Sequence, residues 1–173
     1  MANVFYSGKM ISDQIDSYLA NGISEKEHID GELVVLGDLA EDTTYAADGV
    51  EYDTYKVNAP EAGKEMAIID YAGISEGEIN GNVYKEGIKL YGLTVPANEI
   101  FRVRRLNLHD KFWLGADNFA ETPVVGNEYG ADANGKHAAS GLGDYKVKVL
   151  TSRELTTGMR ANGLMYLCEV IAL

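Results

Sequence analysis

From residue 30 onward the chain is built of short runs of β-branched, aromatic and aliphatic residues separated by Gly, Asp and Asn. Glu32-Leu33-Val34-Val35-Leu36 predicts a compact apolar strand closed by Gly37-Asp38, and Tyr52 to Val57 alternates large and polar residues before stopping at Ala59-Pro60. Met66-Ala67-Ile68-Ile69-Asp70-Tyr71 and Ile88-Lys89-Leu90-Tyr91 predict further strands, with an exposed turn over Glu41 to Gly49. Ile100 to Leu106 sets apolar Phe101 and Val103 against basic Arg102 and Arg104, so one apolar and one basic face are expected. Lys111-Phe112-Trp113-Leu114 follows a turn at Leu108-His109-Asp110. Asp132-Ala133-Asn134-Gly135 carries an Asn-Gly pair, the signature of a type I′ hairpin turn. Tyr145 to Leu150 and Leu164 to Ile171 supply two closing strands, with Thr151 to Gly163 expected as a loop or partial helix. The sum is an all-β fold, a compact sandwich or barrel of about eight short antiparallel strands.

Residues 1–29 follow a different rhythm. Ile11, Ile15, Tyr18 and Leu19 share a helical face, which predicts a short helix from near Ser12 to Asn21-Gly22, so that residues 1–29 are expected as an N-terminal arm or short helix ahead of a β-rich body over 30–173. An apolar face with no evident place in a β core is expected to dock on a neighbouring protein surface.

Composition narrows the function classes. The chain has 173 residues, 19 Gly and only 3 Pro, a balance that suits many strands joined by turns. Its net charge of −12 makes nucleic acid a poor partner, because phosphate binding depends on Lys and Arg. The charge is uneven: residues 1–100 carry 19 acidic against 6 basic side chains, and residues 101–173 carry 8 against 9. The single Cys168 excludes an internal disulfide framework, and no apolar stretch reaches the roughly 18 residues of a membrane helix, so neither a membrane partner nor secretion is expected.

Catalytic signals are weak. His28, His109 and His137 stand apart with no zinc spacing, and each is expected at the surface or in a turn. His109-Asp110 places a carboxylate beside an imidazole, without a Gly-x-Ser-x-Gly elbow to supply a nucleophile. Asp132, Asn134 and Asp144 lack the closing Glu of an EF-hand. No catalytic residue, metal or cofactor is therefore expected. Trp113, the only tryptophan, reads as a core anchor. Arg102, Arg104 and Arg105, with Lys111 nearby, form the one local basic feature, suited either to pairing with local carboxylates or to a protein interface.

The stretch from Gly31 to Leu173 resembles the capsid decoration, or head auxiliary, proteins of tailed bacteriophages that infect Gram-positive hosts. The resemblance rests on Gly31 to Gly37, Tyr55-Lys56-Val57-Asn58-Ala59-Pro60, Ile69-Asp70-Tyr71-Ala72, the segment Arg102 to Phe112, and Val125-Gly126-Asn127-Glu128-Tyr129, in that order. It implies a viral structural protein made in the host cytoplasm and carried on the virion. There it would bind the major capsid protein on the outer shell and stabilise the head, as a homo-oligomer such as a trimer on three-fold lattice sites. The expected contact residues are Ile11, Ile15, Tyr18, Leu19, Arg102, Arg104, Arg105 and Lys111. A tail or baseplate component and a carbohydrate-binding module using Trp113 and the tyrosines are the competing readings.

Overall fold

The structure, a computed structural model, describes residues 5–40, 54–71, 75–79, 82–86, 94–157 and 160–173; side chains are not described at 16, 75–79, 82–86, 155–157 and 160–163. Fifteen strands are found among the described residues, and they confirm the all-β class. They are β1 (Phe5–Lys9), β2 (Leu19–Ile23), β3 (His28–Ile29), β4 (Leu33–Leu39), β5 (Thr54–Asn58), β6 (Met66–Ile69), β7 (Ser75–Ile79) and β8 (Asn82–Glu86). The later half supplies β9 (Thr94–Val95), β10 (Phe101–Arg105), β11 (Lys111–Gly115), β12 (Glu128–Ala131), β13 (His137–Ala138), β14 (Leu142–Thr157) and β15 (Arg160–Ala172). The strand expected at Ile88–Tyr91 and the turn at 41–49 lie outside the described residues.

Two layers organise these strands. One is a closed five-stranded barrel in the order β10-β2-β5-β4-β6, and the other is a six-stranded sheet in the order β1-β11-β15-β14-β12-β13. Among the described residues the paired strands are antiparallel except β2 with β5, which run parallel through Asn21↔Thr54 to Ile23↔Lys56; an isolated parallel bridge joins Phe119 to His137. Two short ladders, β3-β9 and β7-β8, complete the set among the described residues.

Side-chain alternation explains why the barrel strands read as unbroken apolar runs. In β4, Val34 points into the barrel, whereas Leu33 and Val35 point out against the sheet. In β6, Ala67 and Ile69 fill the barrel while Met66 and Ile68 join the interlayer core. A strand buried on both faces has no polar positions to alternate with. Val57, Val95, Phe101 and Val103 complete the barrel interior. The sheet contributes Phe5, Phe112, Leu114, Tyr129, Val147, Val149, Tyr166, Cys168 and Val170 to the interlayer core.

A buried acid fastens the layers together. Asp30 accepts hydrogen bonds from the Phe5 N–H of the sheet (2.8 Å) and the Tyr71 N–H beyond β6 (2.9 Å), while the Asn118 side-chain amide donates to its carbonyl (2.8 Å).

Four sequence expectations are corrected. The helix over 12–22 is replaced by two 3-10 turns, Ile11–Asp13 and Asp16–Tyr18, followed by β2, so the segment expected as an arm supplies one strand to each layer. Thr151 to Gly163 is not a loop or partial helix: β14 runs through Thr157 and β15 begins at Arg160, paired Glu154↔Leu164 and Thr156↔Ala161. The hairpin at 132–135 forms, but only Gly135 has positive φ (+77°), which excludes type I′. Asp132 instead closes the turn, its carboxylate accepting the N–H groups of Asn134 and Lys136 at 2.8 Å each. Trp113 is no core anchor; it stands half-buried on the outer sheet face, with the Arg153 guanidinium 4.2 Å from its ring centroid.

Two histidines expected at the surface are buried. His137 sits in the interlayer core against Phe112, Phe119 and Tyr145. Its Nδ1 faces the Asn118 carbonyl at 3.4 Å, so the proton belongs on Nδ1 and the Tyr145 hydroxyl donates to Nε2 at 3.0 Å. Burial lowers the His137 pKa to about 4, and burial holds Tyr145 protonated by raising its pKa. His28 places Nδ1 2.9 Å from Glu32, with its ring tilted against Phe101 at the barrel end.

Candidate interaction surface

The residues expected to make contacts come from two stretches more than 80 positions apart, and the fold brings Ile11, Ile15, Tyr18 and Leu19 beside Arg102 and Arg104 while placing Arg105 and Lys111 elsewhere. β2 lies beside β10 with Leu19 opposite Arg104, Ala20 opposite Val103 and Asn21 opposite Arg102. The first 3-10 turn crosses the outside of the barrel, and the Ile11 N–H donates to the Asp110 carboxylate at 2.8 Å. The result is one seam that carries Ile11 (40% exposed), Ile15 (45% exposed), half-buried Tyr18 and Leu19, and the Arg102 side chain.

Arg104 defines this seam and does not project from it. Its Nε donates to Asp70 at 2.6 Å, and its Nη1 donates to Asp13 at 2.8 Å and to Ser12 at 3.0 Å. Asp70 is buried and also receives Arg102 Nη2 at 2.8 Å. Two cations and two carboxylates thus meet at the seam. Buried charge is tolerated only when paired in this way. The alternation of β10 therefore puts Arg104 on the outer barrel face as expected, and the turn at 11–13 then buries it.

Arg105 faces the other way, at the mouth of the barrel, where it is 3.5 Å from Glu65 and 5.5 Å from the Tyr55 ring centroid. Lys111 belongs to the sheet layer, paired across from Lys9 and 3.7 Å from Glu169. Of the four basic residues, Arg102 alone lies beside Arg104 at the seam, and the local positive charge is largely neutralised from within.

The His109-Asp110 pair does not form. His109 has φ +71° and turns its ring to Glu169 (3.2 Å), whereas Asp110 accepts the N–H groups of Ile11 and Asn107 at 2.8 and 2.9 Å. Burial raises the Asp110 pKa, partly opposed by those N–H groups. Cys168 is buried in the core, and burial raises the pKa of its thiol. No group of three or more potential metal ligands occurs among the described residues.

Sequence reasoning missed Asp13, Asp30 and Asp70. The available signal was an acid closing an apolar run, as in Ile68-Ile69-Asp70, where a strand end is buried and its carboxylate must find a donor. It also missed the exposed pair Val124-Val125. Comparison of the chain with protein-family models, with curated proteins and with solved structures returns no match, and the reading of this surface rests on its own residues.

Proposed function

We propose that this chain is a structural protein of a tailed-bacteriophage virion, a decoration protein that binds the outer surface of the major capsid protein shell and stabilises the head. The observation that carries the reading is the seam. Two segments separately expected to make contacts lie side by side, and exposed Ile11 and Ile15 ride on a turn fixed by Arg104 to Asp13 and Ser12. Apolar side chains presented on a rigid support suit protein docking, because little conformational entropy remains to be lost on binding. The acidic first hundred residues suit a surface that stays soluble at high local concentration. The major capsid protein is the proposed partner, with no cofactor and no catalytic role.

Cosedimentation with expanded, DNA-free capsids tests the proposal. Saturable binding is expected, and Ile11→Asp combined with Ile15→Asp is expected to weaken it at least about tenfold. Absence of binding by the wild-type chain overturns the decoration reading in favour of a tail component or a glycan binder. One observation favours the glycan alternative: Trp113, half-buried, lies on the outer sheet face in register with Tyr6 and Leu167. Arg153 already occupies one side of the indole, which leaves less of the ring for stacking on a sugar.

A further inference from the structure

Val124 and Val125 are 54% and 49% exposed, adjacent in sequence, and held on a closed turn. Asn127 N–H donates to the Val124 carbonyl at 3.2 Å, and Gly126 takes φ +93° at the third position, as a type II turn requires. The Tyr129 hydroxyl accepts the Val124 N–H at 2.8 Å, and the turn is stitched to β14 by Gly126 N–H to Val149 O (2.8 Å) and Val149 N–H to Asn127 O (3.0 Å). A turn fixed at so many points presents its two isopropyl groups as a preformed knob. Exposed acids Glu121 and Glu128 flank it in sequence.

The barrel layer carries a depression of about 190 Å³ lined by Val35, Leu36, Lys64, Glu65, Ala67 and Arg105. Its floor is apolar, since Val35 and Ala67 are buried and Leu36 packs on the barrel core. Its rim holds two cations and one acid.

We infer that the Val124-Val125 knob of one copy seats in the barrel-mouth depression of a second copy of this chain, with Glu121 and Glu128 facing Lys64 and Arg105. Knob and depression belong to different layers, each copy offers one of each, and a head-to-tail contact between them is heterologous. Such contacts propagate head to tail and close into a ring when the rotation allows. The contact is between copies and stands whether the assembly coats a capsid or another surface.

Sedimentation velocity across a concentration series, up to roughly millimolar protein, tests the inference. The wild-type chain is expected to self-associate. A knob variant (Val124→Asp with Val125→Asp) and a depression variant (Lys64→Glu with Arg105→Glu) are each expected to associate at least about tenfold more weakly. Mixed one to one, the two variants are expected to form a heterodimer and nothing larger, because the knob variant keeps its depression and the depression variant keeps its knob. Unchanged thermal melts establish that each variant is folded; the knob variant, altered only at exposed positions, carries the test if the other melts early. A wild-type chain that stays monomeric, a knob variant that associates like wild type, or two folded variants that fail to pair would each overturn the assignment. Capsid binding by Ile11 and Ile15 uses neither surface, so the two proposals fail independently.

Discussion

Acid sensitivity follows from the fully buried His137. In the unfolded chain its imidazole takes a proton near its ordinary value of 6.5, whereas in the folded protein burial delays protonation to about 4. A histidine whose folded pKa is lowered contributes stability that is complete above 6.5 and is lost as pH falls toward 4. Between those limits the unfolded state binds the extra proton, at about 1.4 kcal/mol per pH unit, so roughly 3 kcal/mol is lost over the interval. The geometry agrees with a neutral ring, since Nε2 accepts from Tyr145 and a second ring proton there would face a hydroxyl that already donates to it. Asp110 acts in the opposite direction: its raised folded pKa favours the folded state as pH falls, which partly offsets the loss near the acid end. The comparison must therefore be between proteins that share Asp110. Urea unfolding followed by Trp113 fluorescence, at several values between about pH 7 and about pH 4.5, is the assay. Wild type is expected to lose stability more steeply than His137→Phe, with a slope difference approaching 1.4 kcal/mol per unit. The variant itself starts about 1–3 kcal/mol lower, because Tyr145 loses its acceptor. Parallel slopes for the two proteins, or a His137 ring signal titrating near 6.5 in the folded state, would refute the reasoning.

Three other substitutions probe the fold. Arg104→Met is expected to cost about 3–5 kcal/mol in urea unfolding, because it removes the Nε donor from buried Asp70 and leaves Asp13 and Ser12 without their contacts to Arg104. Arg105→Met, at the partly exposed barrel mouth, is expected to cost less than about 1 kcal/mol; equal losses would sink the distinction. Gly141→Ala is expected to destabilise by about 1–3 kcal/mol or more, since a Cβ there would overlap the Gly130 Cα where the two backbones meet; an unchanged melting temperature would contradict that packing.

The parts of the fold legible in the sequence were those whose pattern is local. Met66 to Ile69, the alternation of Phe101 and Val103 with Arg102, and the hairpin at Asp132–Gly135 each announce a strand or a turn from neighbours alone. The helix expected at 12–22 failed because Ile11 and Ile15 have helical spacing, while Ser12 and Asp13 turn toward an arginine 91 or more positions away. No local signal encodes that choice. The Ser, Thr and Gly content of 151–163 reads as loop, yet each strand there has the other as its ladder partner, and pairing overrides propensity. At the candidate surface, helical spacing and a local basic cluster singled out the two stretches proposed to make contacts, but not the partition of the basic residues. Period two on β10 separates Arg104 from Arg105 without revealing that one is covered by a turn and the other opens onto the barrel mouth.

The way the chain is woven has a kinetic consequence. The barrel closes only when Leu19–Ile23 meets Phe101–Arg105, and the edge strand Phe5–Lys9 finds its place only against Lys111–Gly115, which in turn needs Arg160–Ala172. Such separations demand closure of very long loops before any reward is collected, the regime in which folding takes milliseconds to seconds. β1 and β2, joined by a short turn region, are committed to different layers, so the start of the chain ties the two layers together. Folding intermediates would expose unpaired strand edges, so yield on refolding should fall as concentration rises, well before the native state loses stability.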